Sequence, residues 1–446
     1  MNTALFRYLI CGMVALGLGS ATIAQGELSP FFLPRSMQTM QLNPAATDGG
    51  TVSVALPSVS VLASHSGFGF GDLVQQTPGQ DSTFLAVGTL LPQLGDRNRL
   101  QTEIRADLLN VAIGIRKFRL LVGVNSRARM DLTYPKDLVR LAWNGNGAYL
   151  GEELQIGPGL SAMAWNEVYA GGQIGIGDRT RVGGRLKYLS GVGYAGTTQN
   201  DLSWITNAET YAWSLNLDYQ LQTAGLDLGH INGQEFAFDP QGAPAIFQQN
   251  HGFALDLGVI IQPIEQLELG LAATDLGQIS WTGTARRYDV SGNFEFDGLD
   301  LSPLWSGDSL NVESLPDSLL QQISFAETEE VFSTALPGRY NISAAFEPVR
   351  WLRISSIFQA ERYQGDWHPA FALGAQARAG KWLDAGVSWM ARDGQLDIIG
   401  LQTSVRMGPV VTYFMADNIL APFRTRQAQM GHVRLGMNLQ FGYRKK

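Results

Sequence analysis

Apolar and polar residues alternate strictly along a dozen residues near the end of the chain, 432–443. Apolar side chains occupy every second position from Val433 to Tyr443, and polar residues or glycine occupy the positions between them. This period of two predicts a β-strand with one apolar and one polar face. A run of about 10 such residues with an aromatic end is typical of a strand in an outer-membrane barrel, although a soluble β-sandwich strand can look the same.

The same alternation recurs along most of the chain and predicts about 16 strands, an even number as expected of bacterial barrels. The clearest runs are 109–115, 120–130, 168–176, 182–188, 213–221, 253–261 and 267–271, and strands follow in quick succession from 342 onward. Weaker runs at 100–107 and 198–206 are counted among the 16. Aromatic residues near strand ends are typical of the girdles at membrane interfaces: Trp281, Trp351, Trp367, Trp382 and Tyr443.

Two stretches break the period of two. Pro135 at the start and Asn144-Gly145 at the end predict one short helix on a long loop. Residues 286–336 are acidic and serine-rich, and they predict a long loop with a helix at 316–323.

Loop lengths sort by parity along the predicted strands. If the last strand ends in the periplasm, short turns at 178–179, 262–263, 347–348, 380–381 and 408–409 lie on the periplasmic side. The long loops at 131–159, 223–249, 286–336 and 418–429 then lie outside. A soluble sandwich has no reason to sort its loops in this way, so the pattern favours an all-β, antiparallel transmembrane barrel of 14 to 16 strands.

Composition agrees with a membrane surface. Only 16% of the residues are charged, against roughly 25% in soluble domains. The formal net charge of −8 lacks the basic footprint of a nucleic-acid-binding protein.

The first residues predict export. Arg7, an apolar run at 8–18 and small residues before Gln25 form a signal peptide over 1–24. Cys11, the only cysteine, lies inside it and follows Ile10, which disfavours a lipoprotein. The mature chain, 25–446, is then one barrel domain in the outer membrane of a Gram-negative cell. Residues 25–98 form its lead, its first strand and a segment that plugs the lumen, and 99–446 form the main barrel.

No pattern predicts an enzyme, a cofactor or a metal site. The glycine-rich stretch 191–196 has dinucleotide-fingerprint spacing, but no helix follows it, so a loop is the prediction. The five histidines are scattered, and none has a metal-ligand neighbour at helical spacing. Acidic residues at 297, 300 and 308 suit calcium less well than they suit a solvated loop.

The polar faces of the predicted strands supply candidates for the lumen or for a solute path: Arg127, Arg129, Arg185, Lys187, Asn216, Asp218, Arg434 and Asn438. An interior lattice of salt bridges and amide hydrogen bonds is the preferred interpretation, ahead of a specific path. In this register Leu435 and Met437 face lipid. We therefore expect Met437→Arg to cost about 2–4 kcal/mol and Asn438→Arg to be tolerated.

Several motifs resemble an uncharacterised family of Bacteroidota outer-membrane barrels over nearly the whole mature chain. They are Asn43-Pro44-Ala45, Tyr134-Pro135-Lys136-Asp137-Leu138, and Lys187-Tyr188-Leu189 followed by Gly191. That family is distantly similar to the long-chain fatty-acid transporter (FadL/TodX) superfamily, whose barrels have 14 strands and an N-terminal segment in the lumen, and to barrels associated with type IX secretion. The resemblance implies fold and location, and it carries no catalytic residues.

Two functions remain open from the sequence. The first is a passive channel for a hydrophobic or amphipathic solute, with outer-membrane lipid as the surrounding partner. The alternative is a non-transporting barrel, a surface anchor or an accessory subunit for secretion or gliding, whose long outer loops bind a secreted or surface protein.

Overall fold

The computed structural model describes residues 26–72, 74–76, 83–85, 87–225, 250–296, 323–392 and 395–442. No helix within these ranges is long and apolar enough to cross a membrane. The α-helices are α1 (Thr39–Leu42), α2 (Val87–Leu90) and α3 (Lys136–Asn144), with 3-10 turns at Ser29–Phe32, Phe70–Asp72, Leu91–Gln93 and Asn146–Tyr149. The strands are β1 (Val52–Ala55), β2 (Ser58–His65), β3 (Val74–Gln76), β4 (Thr83–Leu85), β5 (Arg97–Ile115), β6 (Phe118–Pro135), β7 (Glu153–Gln155), β8 (Gly159–Ile176), β9 (Thr180–Thr206), β10 (Trp213–Ala224), β11 (His251–Ile264), β12 (Leu267–Trp281), β13 (Arg286–Phe296), β14 (Ile323–Glu329), β15 (Phe332–Ala335), β16 (Gly338–Val349), β17 (Leu352–Tyr363), β18 (Asp366–Ala379), β19 (Leu383–Arg392), β20 (Gln395–Met407), β21 (Val410–Ala416) and β22 (Met430–Phe441).

Fourteen antiparallel strands close into a barrel, which confirms the predicted fold class. Pro57, which lacks a backbone N–H, separates β1 from β2, and together these two form the first barrel strand. The barrel closes where Val52 pairs with Phe441 and Ser64 pairs with Met430. The other barrel strands are β5, β6, β8, β9, β11, β12 and β16 to β22.

The sequence-based count of about 16 strands is wrong because two of its runs lie beyond the barrel wall. The run at 198–206 is the far half of β9, which has 27 residues, and the run at 213–221 belongs to β10. This half of β9 pairs with β7 and β10, and β13 and β14 continue the sheet. We call β7, residues 191–206, β10, β13 and β14 the sheet extension.

Much of the predicted long loop at 286–336 is therefore strand. β13, β14 and β15 account for its described residues at both ends. The predicted helix at 316–323 lies outside the described residues except for Ile323, which begins β14. The acidic residues at 297, 300 and 308, the predicted signal peptide and Tyr443 also lie outside them.

The short turns predicted by parity lie at one end of the barrel, and the opposite end carries long connections together with the two-residue turn Gln364-Gly365. The end that holds Val52 and Phe441, which we call the turn end, carries the short turns that were predicted by parity. Two of them come later than predicted, because β11 continues to Ile264 and β16 to Val349. The opposite loop end carries 417–429 and the predicted helix α3, which Gly145 terminates with a φ of +74°.

The last strand shows how inside and outside differ. Val433, Leu435 and Met437 are 39%, 59% and 36% exposed, whereas Arg434 and Asn438 are 1% and 0% exposed. The register predicted for β22 is therefore confirmed. The same exposed apolar surface continues around the barrel, with Trp351, Trp367 and Trp382 at its edges, but Trp281 is fully buried inside, so its predicted place in a girdle is wrong.

Candidate functional site

The barrel interior is the candidate site, and an N-terminal segment, residues 26–51, fills part of it. We call this segment the N-terminal plug. Its apolar side chains Leu28, Phe32, Met37, Met40 and Leu42 are all buried against the inner wall. The predicted luminal segment is thus present, but it ends at Thr51, because 52–65 is the first barrel strand.

Six of the eight predicted lumen residues point into the barrel and are at most 3% exposed: Arg127, Arg129, Arg185, Lys187, Arg434 and Asn438. Asn216 and Asp218 do not line the lumen. Both are exposed on β10, in the sheet extension. Alternation on β10 resembles that of a barrel strand, since an amphipathic sheet above the barrel needs the same pattern.

A network of buried charges crosses the middle of the barrel. Arg127 donates to Asp275 at 2.8 Å, and Lys187 contacts both Asp275 and Asp256. Arg185 reaches Asp256 at 2.6 Å. Every cation here has a carboxylate partner, as burial of charge requires.

The network continues through strands on the other side of the barrel. Glu103 accepts from Arg127 at 3.0 Å and from Arg339 at 2.8 Å. Arg339 and Arg129 both contact Glu361, at 2.9 and 2.7 Å. These ion pairs link opposite walls of the barrel at the mid-lumen.

The first residues of the plug complete the network. Glu27 pairs with Arg434 and lies 2.9 Å from His432 Nε2, and Arg434 also pairs with Asp107. Two backbone N–H groups, those of Leu28 and Ser29, donate to Asp417 at 3.2 and 2.9 Å. We call residues 26–29 the plug tip; it is held by charge.

Electrostatics explain how Glu27 stays ionised in the interior. Burial alone raises the pKa of its carboxyl. The charge of Arg434 and the hydrogen bond from His432 outweigh that effect and lower the pKa from 4.5 to about 2. The tip is therefore anionic at neutral pH.

Residues 43–46, the plug base, are held by shape and by hydrogen bonds to their backbone carbonyls: Gln173 Nε2 donates to Pro44 O at 2.7 Å, and Arg181 Nε donates to Ala45 O at 3.2 Å. Asn43 forms the turn expected of Asn-Pro, since its Oδ1 accepts from Ala45 N at 2.9 Å. Its Nδ2 donates to Val259 O at 3.3 Å on the wall. A Cβ at Gly258 would clash with Asn43 Oδ1, and a Cβ at Gly183 would clash with Pro44 O. The two glycines form a notch that fits the family motif Asn43-Pro44.

The plug also contacts β22 on both sides of its base. Asn438 Nδ2 donates to Gln38 Oε1 at 3.0 Å, and Gln440 Nε2 donates to Asp48 Oδ2, a carboxylate that also pairs with Arg119, at 2.8 Å. Asn438 faces the plug and is fully buried. The structure therefore argues against the expected tolerance of Asn438→Arg, because inward-facing here means enclosed by protein.

Most of the other family-motif residues pack against, or hydrogen-bond to, neighbouring side chains of the barrel. Tyr134 Oη lies 2.6 Å from His65 Nε2 at the loop end, beside Pro135, the N-cap of α3. Leu189 is fully buried, and a Cβ at Gly191 would clash with Trp281. Residues 191–196 belong to strand β9, which corrects the predicted loop.

Tyr188 is the outward-facing member of the motif, and its ring meets Phe253 edge-on at 5.7 Å.

A cavity of about 410 Å3 lies at a break in the wall between β12 and β16. β12 pairs with β16 as far as Thr274 and with β15 from Gln278 onward. Between them, Asp275 has a φ of +60°, and its N–H donates to Asp256 Oδ1 at 2.7 Å. On this opposite side of β12, the Asp256 side chain replaces the regular backbone pairing between β11 and β12.

The cavity lining is mixed in character. Three tyrosines, Tyr194, Tyr340 and Tyr363, contribute rings and hydroxyls, and Arg362 is its exposed cation. Tyr363 Oη and Ser161 Oγ share a hydrogen bond of 2.7 Å on the inner side. A pocket of this size that combines aromatic rings with polar groups suits a small amphipathic molecule.

Sequence reasoning missed several members of the network, notably Glu103, Asp107 and Asp275. One signal could have found two of them: Glu103, Arg105 and Asp107 alternate along the weak run at 100–107. Asp275 sits at a bulge, where the alternation breaks. In the described ranges, no group of three or more His, Cys, Asp or Glu side chains has the arrangement of a metal site.

Residues 44–417 match a protein family described as a family of unknown function, DUF5723. The chain belongs to this family. A search of curated proteins found no match.

Solved structures that are similar to this chain include a FadL homologue, a transporter and a channel. A Pseudomonas aeruginosa FadL homologue is 9% identical, with a TM-score of 0.43, over 93% of this chain and 96% of that one. The Ralstonia pickettii toluene transporter TbuX is 9% identical, with a TM-score of 0.40, over 95% and 96%. The CymD monoaromatic hydrocarbon channel is 10% identical, with a TM-score of 0.38, over 96% and 97%. These TM-scores lie below 0.5, so the fold assignment rests on this chain's own strand pairing.

Proposed function

We propose that this protein is an outer-membrane channel for a small hydrophobic or amphipathic solute, and that the N-terminal plug closes it. The turn end faces the periplasm and the loop end faces outward. A belt of exposed apolar side chains supports the membrane location, since the outer face of a membrane barrel must meet lipid. β17, with 12 residues, is long enough to cross when tilted.

The observation that carries the transport proposal is the mixed cavity beside the buried charge network of the mid-lumen. Solute binds among Tyr194, Tyr340 and Tyr363, next to the charge network at Asp275. Passage then requires the plug tip to leave Arg434, because the tip and the network together fill the interior. No step in this scheme calls for a catalytic group.

Uptake into liposomes tests this function. We expect deletion of residues 26–46 to raise the uptake rate of a fatty acid or a single-ring aromatic compound. Gly338→Phe in the same background should lower it, because Gly338 lines the cavity and has room for a side chain. Gly431→Phe is the matched control, since no atom lies within 4 Å of the added Cβ. Unchanged uptake after the deletion, or equal effects of the two Phe variants, would contradict the proposal.

The accessory role stays an alternative prediction. The sheet extension is the surface that such a role would use. Its test is removal of residues 286–331, which should abolish co-purification of a surface protein and leave barrel assembly intact.

A further inference from the structure

The outer face of the barrel carries an apolar groove of about 440 Å3. Small side chains form its floor: Val122 of β6 pairs with Ala170 of β8, and Val124 pairs with Val168. Larger side chains stand on both sides of the floor. Leu109 on one side is 47% exposed, and Leu186 on the other is 59% exposed.

The groove lies at the depth of one lipid leaflet. Val122 is five residues from Lys117 in the β5–β6 turn, or about 17 Å along an extended strand. Half of a hydrocarbon core is about 15 Å, and a strand tilted by about 40° needs about 20 Å of its length to cross it. An acyl chain that starts at the turn therefore reaches the groove.

Two exposed cations lie below the groove at the turn end. Within the described part of the chain, neither Arg116 nor Lys117 has an ionic partner. The neighbouring β8–β9 turn adds Arg179, which donates to Pro263 O at 3.0 Å, and one acid, Asp178. The rim beneath the groove is thus net positive.

We propose that this groove and rim bind one anionic phospholipid of the leaflet at the turn end. An acyl chain lies on the floor formed by Val122, Val124, Val168 and Ala170, and the phosphate sits at Arg116 and Lys117. Charge favours a lipid over a second copy of this chain, because a symmetric contact through this face would bring the same cations together. The inference rests on the proposed membrane location.

Binding of spin-labelled phosphatidylglycerol and phosphatidylcholine to the full-length protein in vesicles tests the site. We expect wild type to prefer phosphatidylglycerol, and Arg116→Gln with Lys117→Gln to reduce that preference about fivefold for each cation removed. Arg350→Gln with Lys381→Gln, at other turns of the same end, is the matched control and should reduce it less. Equal losses from both pairs, or no loss, would overturn the proposal.

A second variant tests the groove without touching charge. Ala170→Phe fills the floor, whereas Ala375→Phe adds the same ring to an exposed position on β18. Only the first should release bound phosphatidylglycerol. A shift between dimer and monomer in the Ala170→Phe variant would point to a second copy and overturn the lipid assignment. Failure of every variant to insert into vesicles would instead contradict the membrane location.

Discussion

The two ends of the N-terminal plug are held in different ways. At the tip, Glu27 pairs with Arg434, and the contact is strong only while both charges are present. At the base, Asn43-Pro44 fits a notch made by Gly183 and Gly258, which no change of pH or salt alters. The difference teaches that one end can be released by changing charge while the other stays anchored, as a tethered gate requires.

The largest expected effect comes from removing the charge that holds the tip. Arg434→Met leaves Glu27 and Asp107 buried near each other without their shared cation. Loss of one partner from a buried pair costs about 3–5 kcal/mol. The free energy of unfolding in lipid vesicles, measured by urea titration, should fall by that amount. Arg434→Lys keeps the charge and should lose clearly less; equal losses would mean that packing, and not charge, holds the tip.

A smaller effect is expected at the base. Gly258→Val places its side chain against Asn43, and overpacking of this kind costs about 1–3 kcal/mol. Protease cleavage within residues 36–50 should then become faster. Gly431→Val serves as the control, because its Cβ meets nothing within 4 Å. A Gly258→Val protein with an undisturbed plug would show that the notch does not anchor it.

The smallest effect is expected from pH. The pKa of Glu27 is lowered from 4.5 to about 2 in the folded protein, so its contribution to stability is complete above pH 4.5 and is lost as pH falls toward 2. The exchange of backbone amides at 27–29 should therefore accelerate between pH 4.5 and 2.5, and exchange at the plug base should not. In Glu27→Gln the amides of the tip should already exchange at the accelerated rate at pH 4.5, and that rate should stay constant down to pH 2.5 after correction for intrinsic exchange. If Glu27→Gln had the same pH profile as wild type, the change would belong to another carboxyl, such as Asp417. Burial raises the pKa of Asp417, but the charge of His432 outweighs burial, so this pKa is also lowered.

The wall of the barrel could be predicted largely from local pattern. Leu435 and Met437 face outward and Arg434 faces inward as expected, because successive side chains of a strand point to opposite faces wherever the strand lies. The helix after Pro135 was also predictable, since proline and glycine act locally. The strand count was not, because β10 has the same alternation as a barrel strand and only its pairing partners show that it lies beyond the wall.

The sequence predicted which residues of the candidate site point inward, but it did not predict which residues they contact. Glu27 and Arg434 are 407 positions apart, and Arg434 and Asp107 are 327 apart. Closure of the barrel is what brings them together. A β-bulge, such as the one at Asp275, also shifts the inward–outward alternation of a strand, so the alternation in the sequence does not identify a residue's neighbours across the sheet.

The sequence by itself determined that this chain forms amphipathic strands with an apolar outer face, because alternation is a property of each strand alone. Tertiary structure decided what the inner face meets. The polar side of β22 is met by Glu27 and Gln38 of the plug and not by open water, because the N-terminal segment folds back into the closed barrel. Because of these contacts, the polar face of β22 is the surface that holds the N-terminal plug.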